Sequence, residues 1–379
     1  MLRIRALVFN LIIFSVLILV LTSCASQQTG SKPSQPQSPQ NPPLVSPEAE
    51  TETMPEEAIY VILATMNQVA VLDSVTGEIV KEIPVGAKPA ALVKSPDNRY
   101  VFVANSGSGD VYMINTSTGE IDAKVSMGVQ PVAMTMNTAG DKLYVVDYYL
   151  NRVAVLDVKL RSMTDFYELN RLGFDDRFEP LACCRDIFGE PVGEGRSPST
   201  IVLDEDAGKI YVGNLGTWDV AVLDMVAGKE IATFDAAAGI KKMFISSQNH
   251  LYLSAAGNDL EINETIVVLD LKGGEIKDRI EVGGKPVSMA LSPDRQTVYV
   301  VTQDDAKLSG VSLSDGEIIS SCSIGGKPGD IVLSEDGKKA YITDSLAGII
   351  TIVDFDSYSV LNTIEVGITP KSLVFIEKN

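Results

Sequence analysis

The phrase Gly-x-x-Pro opens at Gly86, Gly128, Gly195, Gly283, Gly325 and Gly367, at intervals of 42, 67, 88, 42 and 42 residues. Such a return means that one supersecondary unit is repeated and that no copy can bury its apolar faces alone. The 88-residue interval holds two beats, the hidden one starting near Ala238 with Lys241 where a proline is expected. The 67-residue interval is one beat with 25 residues added. Between Gly86 and Gly367 the chain therefore carries six units of about 43 residues.

Each unit holds four short runs of Val, Ile, Tyr and Leu bounded by Gly, Pro, Asp and Asn, which is strand-and-turn chemistry. Val287 to Leu291 reads as a first strand, Tyr299 to Val301 as a second, Val69 to Leu72 as a third and Ile79 to Val85 as a fourth. Runs such as Ile266-Val267-Val268-Leu269 lack polar alternation, so both faces must be covered. Four antiparallel strands in about 40 residues make one propeller blade. Residues 58 to 85 supply only the last three strands of a unit, and the stretch from Gly367 supplies only a first. Joining them completes a seventh blade and removes two edges that invite aggregation. The expected fold is all-β, a seven-bladed propeller of four-stranded antiparallel blades closed by pairing the C-terminal strand with the N-terminal three.

The second strands end in Phe102-Val-Ala-Asn105, Tyr144-Val-Val-Asp147, Tyr211-Val-Gly-Asn214, Tyr299-Val-Val-Thr302 and Tyr341-Ile-Thr-Asp344. With a Val-x-Val-Leu/Ile-Asp third strand and the Val-Gly-x-x-Pro junction, the chain resembles the YVTN repeat family of seven-bladed propellers over about residues 58 to 379. The resemblance implies a fold rather than an activity, since such propellers serve as binding platforms, surface proteins and occasionally enzyme bodies.

Ahead of the repeats, Arg3 and Arg5 precede an apolar run from Ala6 to Leu21 and then Thr22-Ser23-Cys24. A basic start, a short apolar core and small residues at the break describe an export signal over residues 1–23. The alternative is a transmembrane anchor, for which the run is short. Leu21-Thr22-Ser23-Cys24 resembles the bacterial lipobox, which implies lipidation of Cys24 as the mature N-terminus. Residues 24–57 are Ser, Gln, Pro and Glu with almost nothing apolar, the composition of a disordered tether. The expectation is thus an exported propeller over residues 58–379, lipid-anchored to the cell envelope, with the leaflet left open.

The formal net charge is −19, and it becomes −21 once Arg3 and Arg5 leave with the signal. Such a surface repels phosphate backbones, so no nucleic-acid partner is expected. The single histidine, His250, cannot build a multi-histidine zinc or haem site, and no cofactor is expected. Its Ser247-Gln248-Asn249 context reads as a solvated turn.

Strand order puts the Gly-x-x-Pro junctions and the second-to-third loops on one face, here called upper, and the remaining loops on the lower. Both departures from the period fall on the upper face. The larger is an insertion over residues 171–194, with Phe174, Phe178, Phe188 and the pair Cys183-Cys184; the smaller runs from Gly257 to Thr265. Loops that outgrow a regular scaffold are a usual seat of binding, or else a packed flap. Asn105, Asp147, Asn214 and Asp344, at second-strand ends, either ring the channel mouth for a ligand or bond their own turns. Lys88, Lys285 and Lys327 stand near the same rim.

Asp259, Glu261, Asn263 and Glu264 offer oxygen ligands without the spacing of a calcium loop, so no metal site is assigned. Cys183 and Cys184 admit a vicinal disulfide, separate pairing with Cys322 as one partner, a soft-metal thiolate pair, or no role. Cys322 reads equally well as a small hydrophobe, and Met134 and Met136 read as core. Three functions compete. The preferred one is a non-catalytic binding or scaffold lipoprotein, a monomer that engages a protein, glycan or small molecule across the upper face. The others are a metal-dependent lactonase-like hydrolase using Asp147 and Asp344, and redox or metal sensing through Cys183-Cys184.

Overall fold

The computed structural model describes residues 53–169, 196–257 and 264–378. Among the described residues, twenty-eight strands form seven four-stranded antiparallel sheets. Blade 1 joins 57–84 to 370–377, and blades 2 to 7 are 89–126, 131–168, 198–235, 240–281, 286–323 and 328–365. Pro370–Glu377 pairs antiparallel with Glu57–Leu63, setting Ile59 opposite Phe375 and Tyr60 opposite Val374. The ring therefore closes as the split unit requires.

The absence of polar alternation has a direct structural cause. Seven apolar clusters occupy the seven interfaces between neighbouring blades. In blade 1, Ile59 and Val61 pack toward blade 7 while Ala58, Tyr60 and Ile62 pack toward blade 2. Each fully buried aliphatic side chain contributes roughly 1.5–3 kcal/mol. The recurrent second-strand tyrosine is part of this core: Tyr341 stacks on Phe375 at 5.6 Å across the closing interface, and Tyr299 on Phe355 at 4.0 Å. Burial pushes the Tyr211 phenol up to about 12, so it stays neutral inside its cluster. Met134 is buried between blades 2 and 3, with Met136 packed beside it.

Each innermost strand begins at the junction proline, except Ile240–Ile245 in blade 5. Ile240 pairs with Ala255 as Pro89 pairs with Asn105, so Ile240, rather than Lys241, stands in the proline's place. Immediately after that position the register slips by one residue in blade after blade, between Pro89 and Ala91, Pro131 and Ala133, Pro198 and Thr200, Ile240 and Lys242, and Pro286 and Ser288. Such a bulge sets two consecutive residues against one partner and re-aims their side chains.

On the lower face the Ser-x-Asp turns close on themselves. Ser292 and Ser334 donate to Asp294 and Asp336 at 2.5 and 2.6 Å. These hydroxyls, helped by the amides of Gln296 and Lys338, hold both carboxyls below their ordinary pKa.

One expectation changes here. The turn-like context of His250 suggests a solvated residue, but the side chain opens the second strand of blade 5, His250–Ala255, and is only 9% exposed. Its Nε2 lies 3.0 Å from Lys277 Nζ, the donor of that pair. Desolvation, reinforced by the Lys277 charge and opposed by Asp270, lowers the imidazole pKa. The strand pairing that begins at His250, opposite Asp270 of the third strand, explains the difference, and the Lys277 side chain of the outermost strand reaches across to the ring. Cys322, in Ile318–Ser323 at the outside of blade 6, is a half-buried free thiol packed against the blade 6–7 cluster, and burial raises its pKa.

Candidate ligand-binding site

The upper rim is built from the residues at second-strand ends. Asp147 is 1% exposed and accepts from the amides of Val129 at 2.8 Å, Gln130 at 3.3 Å, and Tyr149 and Leu150 at 3.1 Å. Asp344 is 3% exposed and accepts from Lys327, Leu346 and Ala347 at 2.9 Å each. Each carboxylate thus clasps its own second-to-third loop to the Gly-x-x-Pro junction beside it. The contact excludes a side chain at one glycine of each junction: a Cβ on Gly128, which opens its phrase, would lie 1.9 Å from Asp147 Oδ2, and one on Gly326, the residue after the opening Gly325, 1.6 Å from Asp344 Oδ2. Asn105 and Asn214 are fully buried and donate to Asp110 at 2.9 Å and Asp219 at 2.6 Å. Asp147 and Asp344 thus bind turn backbones, while Asn105 and Asn214 donate to neighbouring carboxylates and leave each Oδ1 without a partner among the described residues.

Lys88 and Lys327 are exposed on this rim, and Lys285 is half-buried 3.8 Å from Asp304. The same face carries exposed apolar residues, namely Met66, Val129, Leu150, Trp218, Leu346 and Ile368. Phe174, Phe178, Cys183 and Cys184 lie outside the described residues, as do Cys24, Asp259, Glu261 and Asn263. Glu264 is exposed, and its carbonyl accepts from Val282 at 2.8 Å. Arg196, which follows the insertion, is 3% exposed and donates to Glu230 at 2.7 Å and Thr233 at 3.0 Å, with Asp219 at 3.8 Å. A guanidinium buried this deeply is tolerated only because carboxylates face it. Among the described residues, no three of His, Cys, Asp and Glu converge as a metal site.

Below the rim, the innermost strands of all seven blades enclose an axial bore of about 510 Å³. Its lining includes, on every blade, the two residues that follow the junction position. On blades 2 and 3 that pair is Ala90-Ala91 and Val132-Ala133. On blades 5, 7 and 1 it is Lys241-Lys242, Gly329-Asp330 and Lys371-Ser372. One wall is therefore small and apolar, and the other is polar with three lysines against one aspartate.

Asp330 organises the polar wall. Its Oδ1 accepts from Lys242 Nζ at 3.1 Å, from Ser288 Oγ at 2.7 Å and from the Ile331 amide at 3.1 Å, and its Oδ2 accepts from Ser372 Oγ at 3.1 Å. The network links blades 5, 6, 7 and 1 across the bore. It also neutralises Lys242. Among the described residues, neither Lys241 nor Lys371 has a carboxylate within ion-pair distance. Lys371 is open to water in the bore yet walled by protein, and that desolvation lowers its pKa.

The chain matches the profile of the YNCE-like beta-propeller family over residues 38–378. It belongs to that family. No curated protein sequence matches it significantly. Among solved structures it is similar to a periplasmic gluconolactonase of Pseudomonas aeruginosa, with 19% identity and a TM-score of 0.64, covering 85% of this chain and 99% of that one. A functionally unknown protein from Desulfotomaculum acetoxidans gives 13% identity and a TM-score of 0.68, with 85% and 99% covered. Hydrazine synthase of Kuenenia stuttgartiensis gives 16% and 0.62, with 75% and 88% covered. At these identities the likeness extends to the propeller fold and not to the reactions of those proteins. For this family member, the position after each junction proline carries a signal that the fold itself does not demand. It reads Ala90, Val132, Ser199, Lys241, Val287, Gly329 and Lys371. Two lysines at an otherwise small or apolar site mark the bore once the blades are brought into register.

Proposed function

We propose that this YNCE-like propeller is an exported, lipid-anchored, non-catalytic binding or scaffold protein whose ligand face is the Gly-x-x-Pro side. The observation that carries the reading is the bore, where Lys241 and Lys371 stand without a carboxylate partner among the described residues while Lys242 beside them is paired with Asp330. The exposed Trp218, Leu150 and Leu346 on the same side add apolar contact area for a partner. The single histidine is engaged by Lys277, and the acidic chain disfavours nucleic acid.

The hydrolase alternative relies on Asp147 and Asp344, which stand on blades 3 and 7 with oxygens already engaged by main-chain amides. The redox alternative depends on Cys183 and Cys184, which lie outside the described residues.

The test uses the mature chain from Cys24 as bait in cross-linked envelope extracts, beside a variant lacking residues 171–194. Capture of a partner by the full chain, weakened by the deletion, supports an upper-face platform. Retention of every partner by the deletion variant removes the insertion from the site. Lactone turnover that depends on a divalent metal would overturn the non-catalytic half of the proposal.

A further inference from the structure

We infer that the axial bore binds a small organic anion with an apolar portion, its charged group held by Lys241 and Lys371 and its apolar part laid against blades 2 and 3. The inference rests on the reading of the Gly-x-x-Pro side as the ligand face, and it specifies the chemistry recognised there.

Four observations meet in the bore. First, the protein carries a formal charge of −19, yet the bore lining holds three lysines and a single aspartate. A local excess of positive charge inside an acidic shell is an inversion that folding does not require. Second, the aspartate does not cancel that excess. Asp330 Oδ1 already takes Lys242, Ser288 and the Ile331 amide, and Oδ2 takes Ser372. A carboxylate braced this way from blades 5, 6 and 1 holds the wall in place and keeps Lys242 turned to it. Lys241 and Lys371 remain to face a ligand. Third, the two lysines sit at one level, each being the first residue after the junction position, on strands separated by two blades of the ring. They therefore converge on the axis rather than lining one strand. Fourth, the opposite wall is Ala90, Ala91, Val132, Ala133 and Met134, which carries no charge and to which Thr135 adds a single hydroxyl. A fully hydrated inorganic anion gains nothing from such a surface, whereas an aliphatic chain does.

A cavity bounded by low-dielectric walls strengthens the attraction between ammonium groups and a carboxylate relative to open water. Desolvation of Lys371 works in the same direction, because a bound anion restores the favourable environment that the ammonium lacks when the bore holds only water. Lys242, tied to Asp330, acts as a positioning residue rather than a ligand contact.

Calorimetric titration of the mature chain with octanoate, octanamide and inorganic phosphate tests the inference, alongside Lys371→Met, Lys241→Met and Asp330→Asn. Octanoate is expected to bind, octanamide to bind at least about tenfold more weakly, and phosphate to bind more weakly than octanoate. Each lysine variant is expected to weaken octanoate by about tenfold or more, and Asp330→Asn to strengthen it or leave it unchanged. As a readout independent of the variants, octanoate should protect Lys371 from acetylation, measured by peptide mass spectrometry on the parent protein. Equal binding of octanoate and octanamide, indifference to both lysine variants, or unprotected Lys371 overturns the inference. Phosphate binding as tightly as octanoate overturns the part assigned to the apolar wall. If octanoate fails while partner capture by the upper face persists, this inference falls alone; if both fail, so does the reading beneath it.

Discussion

Asp344 and Lys371 belong to neighbouring blades and both lie toward the upper side of the propeller, but their polar atoms meet opposite ends. Asp344 is buried and accepts three main-chain amides, so its charge holds a loop to a blade junction. Lys371 lies in the bore without a carboxylate partner among the described residues, and its surroundings work against its charge. The first pattern recurs at Asp147, whose carboxylate leaves no room for a Cβ on the motif's Gly128. The second departs from the repeat, since the same position is alanine or valine on blades 2, 3 and 6. In a repeat protein, recurrence of a polar residue points to architecture, and the exceptions at a shared position point to the ligand.

The largest effect should come from the closing interface. Phe375 is 1% exposed and stacks on Tyr341, so Phe375→Ala should cost about 3–5 kcal/mol by urea unfolding. A smaller loss would mean that ring closure contributes less than the other interfaces. Next comes the rim: Asp344→Ala leaves three amides without their acceptor and should cost roughly 2–3 kcal/mol. The same variant should leave octanoate binding within about twofold, since the rim carboxylate is not a ligand contact. Calorimetry on the folded variant checks this.

Acid sensitivity is the next step down. The serine hydroxyls that hold Asp294 and Asp336 below the ordinary carboxyl pKa stabilise the ionised, folded turns. Their contribution is complete above the unfolded value of about 3.9 and disappears as pH falls through the lower folded values. Thermal melts should therefore decline slightly between about pH 7 and 5, where the lowered pKa of His250 makes the unfolded chain take up the proton first, and more steeply below about pH 4. Asp336→Asn should soften that steeper decline. His250→Gln should abolish the loss between pH 7 and 5 and leave the acid limb unchanged.

The fold was almost wholly legible because its determinants are periodic. Gly86, Gly128, Gly283, Gly325 and Gly367 mark the junctions directly, and residues 58 to 85 with the stretch after Gly367 reveal the split blade. The bore was not legible for two physical reasons. A regular strand turns alternate residues to one side, whereas here a bulge turns two successive residues inward, so Lys241 and Lys242 both reach the axis. In addition, with Lys241 taken as the proline's replacement, the blade 5 register is off by one, which hides its match to Lys371. The rim residues were legible as polar strand ends, but only the structure distinguishes a carboxylate aimed at a ligand from one saturated by amides.

The unfolding free energy of Lys371→Met relative to the parent tests the contrast between rim and bore most directly. If Lys371 serves a ligand and not the fold, replacing a desolvated, unpaired ammonium with an apolar side chain should leave stability unchanged or raise it by up to about 1 kcal/mol. A loss of more than about 1 kcal/mol would show that Lys371 supports the fold as Asp344 does, and would contradict the account.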